Sequence, residues 1–250
     1  MECQIEITNA CILQCANCTR FCGHHPKPYF MTRDQITQAL QSLKGHPKLV
    51  GIMGGEPLLH PDFAWICEEA LRYFPRQQLG LWTGLPQHPK YIAYRETIVK
   101  TFYSIFINDH SRGDIYHAPL LVSAKSVAQK LHPNDQVAAD RWMWNVIDQC
   151  WVQNSWSKAI NPKGAFFCEV AAAQSVLYDG PEGWKVEPNW WTRSPLDYRE
   201  QMKQWCPGCG AACALKRRVS TDERDDISED NLARLKAAGS RKVKHGLYQV

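Results

Sequence analysis

The chain has 250 residues, of which 44% are apolar and 22% charged, with a formal net charge of +4. At roughly 150 residues per domain this is one full domain with a smaller appendage, and the balance excludes a disordered chain. Eleven cysteines are too few for a disulfide scaffold, many for a reduced compartment, and odd in number, so metal or redox chemistry becomes the leading question.

Cys3-Gln4-Ile5-Glu6-Ile7-Thr8 alternates with period two and predicts a strand running into a cysteine-bearing loop. Thr32-Arg33-Asp34-Gln35 matches a capping box, with Ile36, Leu40 and Leu43 following at helical spacing. Leu49 to Met53 predicts a second strand that ends in Gly54-Gly55-Glu56-Pro57. Phe63, Ile66, Cys67, Ala70, Leu71 and Phe74 then fall on one helix face. Leu79 to Trp82, Phe102 to Ile107 and Leu120-Leu121-Val122 read as a third, fourth and fifth strand. Strands separated by helices predict an α/β fold of right-handed βαβ units on a parallel sheet, open or curved toward a barrel.

In such sheets the chemistry sits at the carboxyl ends of the strands. Thr83, Asn108, Asp109, Ser123 and Lys125 stand there, although polar residues at strand ends also serve as turn formers. After about residue 135 the chain changes to short segments rich in Trp, Pro and Gly that carry Cys150, Cys168, Cys206, Cys209 and Cys213. The expected division is 1–135, 136–215 and a basic C-terminal tail, 216–250, with a capped helix from Ser228 to about Ala238. In that tail, Arg217-Arg218 and Arg241-Lys242-Val243-Lys244-His245 read as a solvated surface or as a phosphate-contacting arm. No apolar run reaches the roughly 18 residues that span a bilayer, and Met1-Glu2-Cys3-Gln4 lacks the regions of a signal peptide. A cytoplasmic location without membrane contact is therefore expected.

Cys11, Cys15 and Cys18 form C-x3-C-x2-C directly after the first strand. Three thiolates from one tight loop suit three corners of a [4Fe-4S] cluster with one iron open, whereas zinc usually takes C-x2-C with a second pair. With Gly54-Gly55-Glu56-Pro57 following the second strand, the chain resembles the radical S-adenosylmethionine (SAM) superfamily over roughly residues 3–125. The resemblance implies a partial (β/α)6 barrel in which SAM chelates the open iron through its amino and carboxylate groups. It also implies reductive cleavage of SAM to a 5′-deoxyadenosyl radical that abstracts hydrogen from substrate. Gly54, Gly55, Glu56 and Pro57 are then expected beside SAM, Glu56 on its amino group, with Thr83, Asn108 and Ser123 as further SAM-facing candidates. Asn17 stands where the superfamily usually has an aromatic residue. Cys22 as a fourth ligand would close the cluster, and Cys3 and Cys67 read as core residues.

Cys150, Cys168, Cys206 and Cys209 offer four thiols, which suit a second [4Fe-4S] cluster or a zinc ion. The arrangement resembles the twitch domain, a shortened SPASM-like module, and so implies an auxiliary [4Fe-4S] cluster that transfers electrons or holds the fold. Cys213 is an alternative to one of the four. Trp142, Trp144, Trp151, Trp156, Trp184, Trp190 and Trp191 read as a core around that cluster or as a base-stacking surface. The expected activity is oxidation (a dehydrogenase) or rearrangement (an isomerase) of a small polar or nucleoside or nucleotide substrate, a modified base in phage-type DNA included. A flavodoxin- or ferredoxin-type protein is the expected electron donor, and no catalytic side chain is assigned. The reading from a different class is a non-enzymatic zinc or iron–sulfur protein that binds nucleic acid.

Overall fold

The structure is a computed structural model that describes residues 1–84, 89–110 and 115–250, leaving out the side chains of 115–117. Strands β1 (Glu2–Thr8), β2 (Val50–Gly54), β3 (Leu79–Thr83) and β4 (Ser104–Ile107) alternate with helices α1 (Arg33–Ser42), α2 (Phe63–Tyr73) and α3 (Pro89–Thr101). The short β5 (Ile115–His117) is followed by α4 (Ala124–Leu131) and α5 (Gln136–Asp148), then by β6 (Ser157–Asn161), β7 (Gly164–Phe166) and α6 (Glu169–Leu177). The chain ends with α7 (Arg199–Trp205), β8 (Arg218–Val219), β9 (Asp225–Asp226), α8 (Glu229–Ala237), α9 (Arg241–Lys244) and β10 (Tyr248–Gln249).

Six strands form one sheet in the order β4-β3-β2-β1-β6-β7, parallel except for β7. Helices connect β1 to β4 in sequence, as the alternating pattern requires. The expected fifth strand at Leu120-Leu121-Val122 does not join the sheet: only Leu121 makes an isolated bridge, to Ile227. Its backbone is engaged elsewhere, because the Leu120 carbonyl accepts from Gly210 N and the Leu121 carbonyl from Ser228 N. The parallel place beside β1 is taken instead by β6, from the stretch that sequence assigned to the cysteine-rich segment. The central sheet thus draws strands from both sides of residue 135.

Alternation on β1 separates two environments. Cys3, Ile5 and Ile7 join a core with α1, α2 and the apolar residues of β2 and β3. Gln4, Glu6 and Thr8 are buried too, on the opposite face. On β6, Ala159 belongs to a second core with α4 to α7, while its neighbour Ile160 belongs to the first.

The expected capping box forms at α1: Thr32 Oγ1 accepts from Gln35 N at 3.2 Å and Gln35 Oε1 accepts from Thr32 N at 2.9 Å. Caps of this kind contribute about 1 kcal/mol. On α2 the expected apolar face is buried except for Leu71, which is exposed. Helix α8 starts at Ser228 as expected, but that hydroxyl donates to the Leu121 carbonyl rather than capping its own helix. Among the described residues, no helix is long and apolar enough to cross a membrane.

Candidate functional site: two thiol-lined cavities

The carboxyl ends of β1, β2, β3 and β4 meet at an open cavity of about 590 Å³. Cys11, Cys15, Cys18 and Cys22 line it on one side, and Gly54, Gly55, Glu56, Thr83 and Asn108 on the other. The two motifs, with Gly54 36 positions after Cys18, therefore face one space. Gly54 and Gly55 are required by close approach: a Cβ on Gly54 would lie 2.3 Å from the Thr8 carbonyl, and one on Gly55 2.5 Å from that of Ala10. The same approach lets Gly55 N donate to Thr8 O and Glu56 N to Ala10 O, which fixes the end of β2 against the start of the cysteine loop.

Glu56 is buried, and its carboxylate accepts from Thr83 Oγ1 at 2.8 and 2.9 Å, Gly84 N at 2.9 Å and Leu58 N at 3.1 Å. It ties the end of β3 to the turn after β2. Burial nonetheless raises its pKa above the usual carboxylate value, with these hydrogen bonds opposing the shift. Pro57 follows at the start of a one-turn helix. Ser123 sits apart, fully buried as the N-cap of α4 and accepting from Ser126 N at 2.9 Å. Neither it, Asp109 nor Lys125 lines the cavity.

Of the four thiols here, Cys22 is buried and hydrogen-bonds to the sulfurs of Cys11 and Cys18, which together with burial holds its pKa well above the thiol range. Burial pushes Cys15 up to about 12, helped by Cys18 and Cys11. Asn17, which departs from the aromatic pattern, has a left-handed backbone with φ of 50°, a conformation in which Asn is enriched. Its Nδ2 donates to Asp226 Oδ2 at 3.0 Å and its Oδ1 accepts from Asp226 N at 3.1 Å.

Those contacts belong to a clamp that sequence reasoning missed. The basic C-terminal stretch is not a free arm, because Lys242 is 1% exposed and donates to Asp225 Oδ2 at 2.8 Å and to the Cys15 carbonyl at 2.9 Å. His24 Nε2 meets the same Asp225 oxygen at 2.8 Å. Ala16 N donates to Ser220 O, and Arg241 N to His24 O. Arg218 is engaged with Asp222 and Asp226. The C-terminal segment therefore wraps the first cysteine loop.

Cys150, Cys168, Cys206 and Cys209 line a second, small cavity with Ile147, Phe167, Val170, Ala171 and Trp205. Cys213 is buried but does not line it. Burial raises the pKa of all four lining thiols, Cys209 to about 12, and neighbouring sulfurs add to the shift at Cys168 and Cys206. Four neutral thiols in an apolar cavity suit a cationic centre that would draw off their protons, and sulfur donors select iron–sulfur clusters or zinc. Gln153 Oε1 and Gln174 Oε1, buried on the same wall, have no hydrogen-bond partner. The tryptophans divide: Trp190 is buried in the first core, Trp151 is exposed and tilted against Trp156, and Trp205, unremarked in the sequence, lines this cavity. Among the described residues, no three His, Cys, Asp or Glu side chains converge on a single-ion position. The thiols in both places are arranged around cavities.

No family model matches the chain, and no curated protein matches it in sequence. A solved structure, BtrN in complex with AdoMet and 2-DOIA, shares its fold with a TM-score of 0.52 at 12% identity, over 83% of this chain and 92% of that one. The chain thus has the expected α/β fold, a six-stranded and mainly parallel sheet of the kind found in BtrN.

Proposed function

We propose that the chain is a radical SAM enzyme that acts on a small polar molecule. The observation that carries this reading is the convergence of Cys11, Cys15 and Cys18 with Gly54-Gly55-Glu56 on one cavity at the strand ends. Cys11, Cys15 and Cys18 would hold a [4Fe-4S] cluster, which would supply the electron for reductive cleavage of AdoMet. The chain's part is to hold and exclude. Glu56 and Thr83 lock the rim of the cavity, the bared backbone of Gly54 and Gly55 provides its floor, and Thr83 and Asn108 stand as polar contacts for AdoMet. Trp82, stacked on Phe106 at 4.5 Å, covers one wall and shields it from water.

Cys150, Cys168, Cys206 and Cys209 would hold an auxiliary [4Fe-4S] cluster that takes up the second electron of a substrate oxidation. The complex of BtrN with 2-DOIA supports a small-molecule substrate. Nucleic acid draws less support, because Lys242 and Arg218 of the basic stretch are paired with carboxylates of the same chain. A flavodoxin- or ferredoxin-type protein would supply the electron. The test is anaerobic reconstitution followed by incubation with AdoMet and strong reductant. Iron near eight per chain, as two clusters require, with release of 5′-deoxyadenosine is the expected result. Colourless protein holding stoichiometric zinc overturns the proposal.

A further inference from the structure

Arg20 lies two residues after Cys18, and Glu169 directly follows Cys168. Both are buried, and they meet: Arg20 Nη2 is 3.0 Å from Glu169 Oε2. The same nitrogen donates to Gln4 Oε1 at 2.7 Å and contacts Met53 Sδ at 2.9 Å, while Nε is 3.1 Å from Glu6 Oε1. Ser157 on β6 donates to Glu169 Oε2 at 2.5 Å. A positive guanidinium thus sits between two carboxylates, one on β1 and one beside the second set of thiols.

Such a group is costly to bury and is retained for a structural or functional reason. Pairing within the fold does not use the whole guanidinium: Arg20 lines the first cavity, and its Nη1 is buried without a hydrogen-bond partner. The second cavity begins one residue from its partner, at Cys168. Charges this close to iron–sulfur ligands tune reduction potential through a low-dielectric medium, and a positive charge makes reduction easier.

We infer that Arg20 is a positioning residue shared by the two thiol sites: its guanidinium, held between Glu6 and Glu169, joins the loop of Cys18 to Cys168 and sets the electrostatic potential at both. The inference rests on the proposed two-cluster reading. It differs from simple packing in predicting effects of opposite sign from the two partners of one ion pair.

The test is a redox titration of anaerobically reconstituted protein followed by electron paramagnetic resonance, on wild type, Arg20→Gln, Arg20→Lys and Glu169→Gln. Arg20→Gln should move both midpoint potentials to more negative values, Glu169→Gln should move both to more positive values, and Arg20→Lys should stay closest to wild type. If Arg20→Gln does not take up iron, Glu169→Gln decides: a positive shift of both signals supports the inference, and a shift of one signal or of neither overturns it. Shifts of the same sign in Arg20→Gln and Glu169→Gln also overturn it. A wild-type protein lacking two separable iron–sulfur signals refutes the two-cluster reading itself, whereas two signals that ignore Arg20 refute this inference alone.

Discussion

Replacing Lys242 with Met keeps most of the stem that packs against Gly23, where a Cβ would lie 2.6 Å from Lys242 Cε, and removes only the charge. Asp225, 1% exposed, then retains His24 Nε2 and Asn17 N but loses the ammonium at 2.8 Å. Breaking a buried ion pair from one side costs about 3–5 kcal/mol, a large part of the roughly 5–15 kcal/mol that holds a domain together. The Cys15 carbonyl loses a donor in the same step. The loss should be local before it is global, since the C-terminal segment meets residues 16–24 through backbone hydrogen bonds from Ala16 to Ser220 and from Arg241 to His24. Urea melts of Lys242→Met should show the destabilisation, and hydrogen exchange should show faster opening at residues 15–24. The double variant with Asp225→Asn should be less unstable than the sum of the singles by about 1–3 kcal/mol. A single-variant cost below about 1 kcal/mol, the value of an exposed pair, or exchange that accelerates everywhere except 15–24, refutes the clamp.

Burial lowers the His25 pKa from 6.5 to about 4. Its neutral form is favoured in the fold, so its contribution is complete above pH 6.5 and is lost as pH falls toward 4, by about 3 kcal/mol for 2.5 units at 1.36 kcal/mol each. His25→Gln should flatten stability between those pH values, and an unchanged slope in urea melts contradicts the assignment. Gly55→Ala places a methyl 2.5 Å from the Ala10 carbonyl; overpacking of about 1–3 kcal/mol and weaker AdoMet binding by calorimetry should follow, and unaltered binding would show that the rim tolerates displacement. Cys15→Ala should abolish AdoMet cleavage, whereas Cys206→Ala should leave 5′-deoxyadenosine formation measurable and impair substrate turnover; loss of cleavage in both folded variants removes this division of labour. Cys22→Ser should still cleave AdoMet, since three other thiols of its loop line the cavity; a variant that loads iron yet fails to cleave places Cys22 among the essential groups.

Local rules made part of this architecture legible. Thr32 and Gln35 sit close enough in sequence for their reciprocal hydrogen bonds to be read directly, and Cys3, Ile5 and Ile7 announce one buried face of β1. The other face, Gln4, Glu6 and Thr8, looks solvent-exposed by alternation and is buried: Arg20, which also contacts Glu169 149 residues further on, meets Gln4 and Glu6, and Thr8 Oγ1 donates to the Tyr29 carbonyl. Leu120-Leu121-Val122 satisfies a strand pattern but not its geometry, while Ser157-Lys158-Ala159-Ile160-Asn161 carries no apolar run and is fully buried beside β1. The cysteine spacing grouped Cys11, Cys15 and Cys18, and Cys150, Cys168, Cys206 and Cys209, as the structure groups them around two cavities. The clamp was illegible for the opposite reason: Lys242 reads as a solvated charge until Asp225 and the Cys15 carbonyl are seen to meet it. Leu71 is the reverse case, an apolar side chain at helical spacing whose place on α2 falls outside the contact.

The pairing of Glu2 with Ser157 has a consequence for how the molecule is made. During synthesis β1 emerges well before β6, so one of its two lateral partners is 155 residues behind it. Until then that flank presents unpaired N–H and C=O groups, a template for any other extended segment. Closing so long a loop before its contacts form slows folding and prolongs exposure. A chain ended after residue 135 would keep that open edge permanently. Its principal hazard would be self-association along β1, before any question of activity arises.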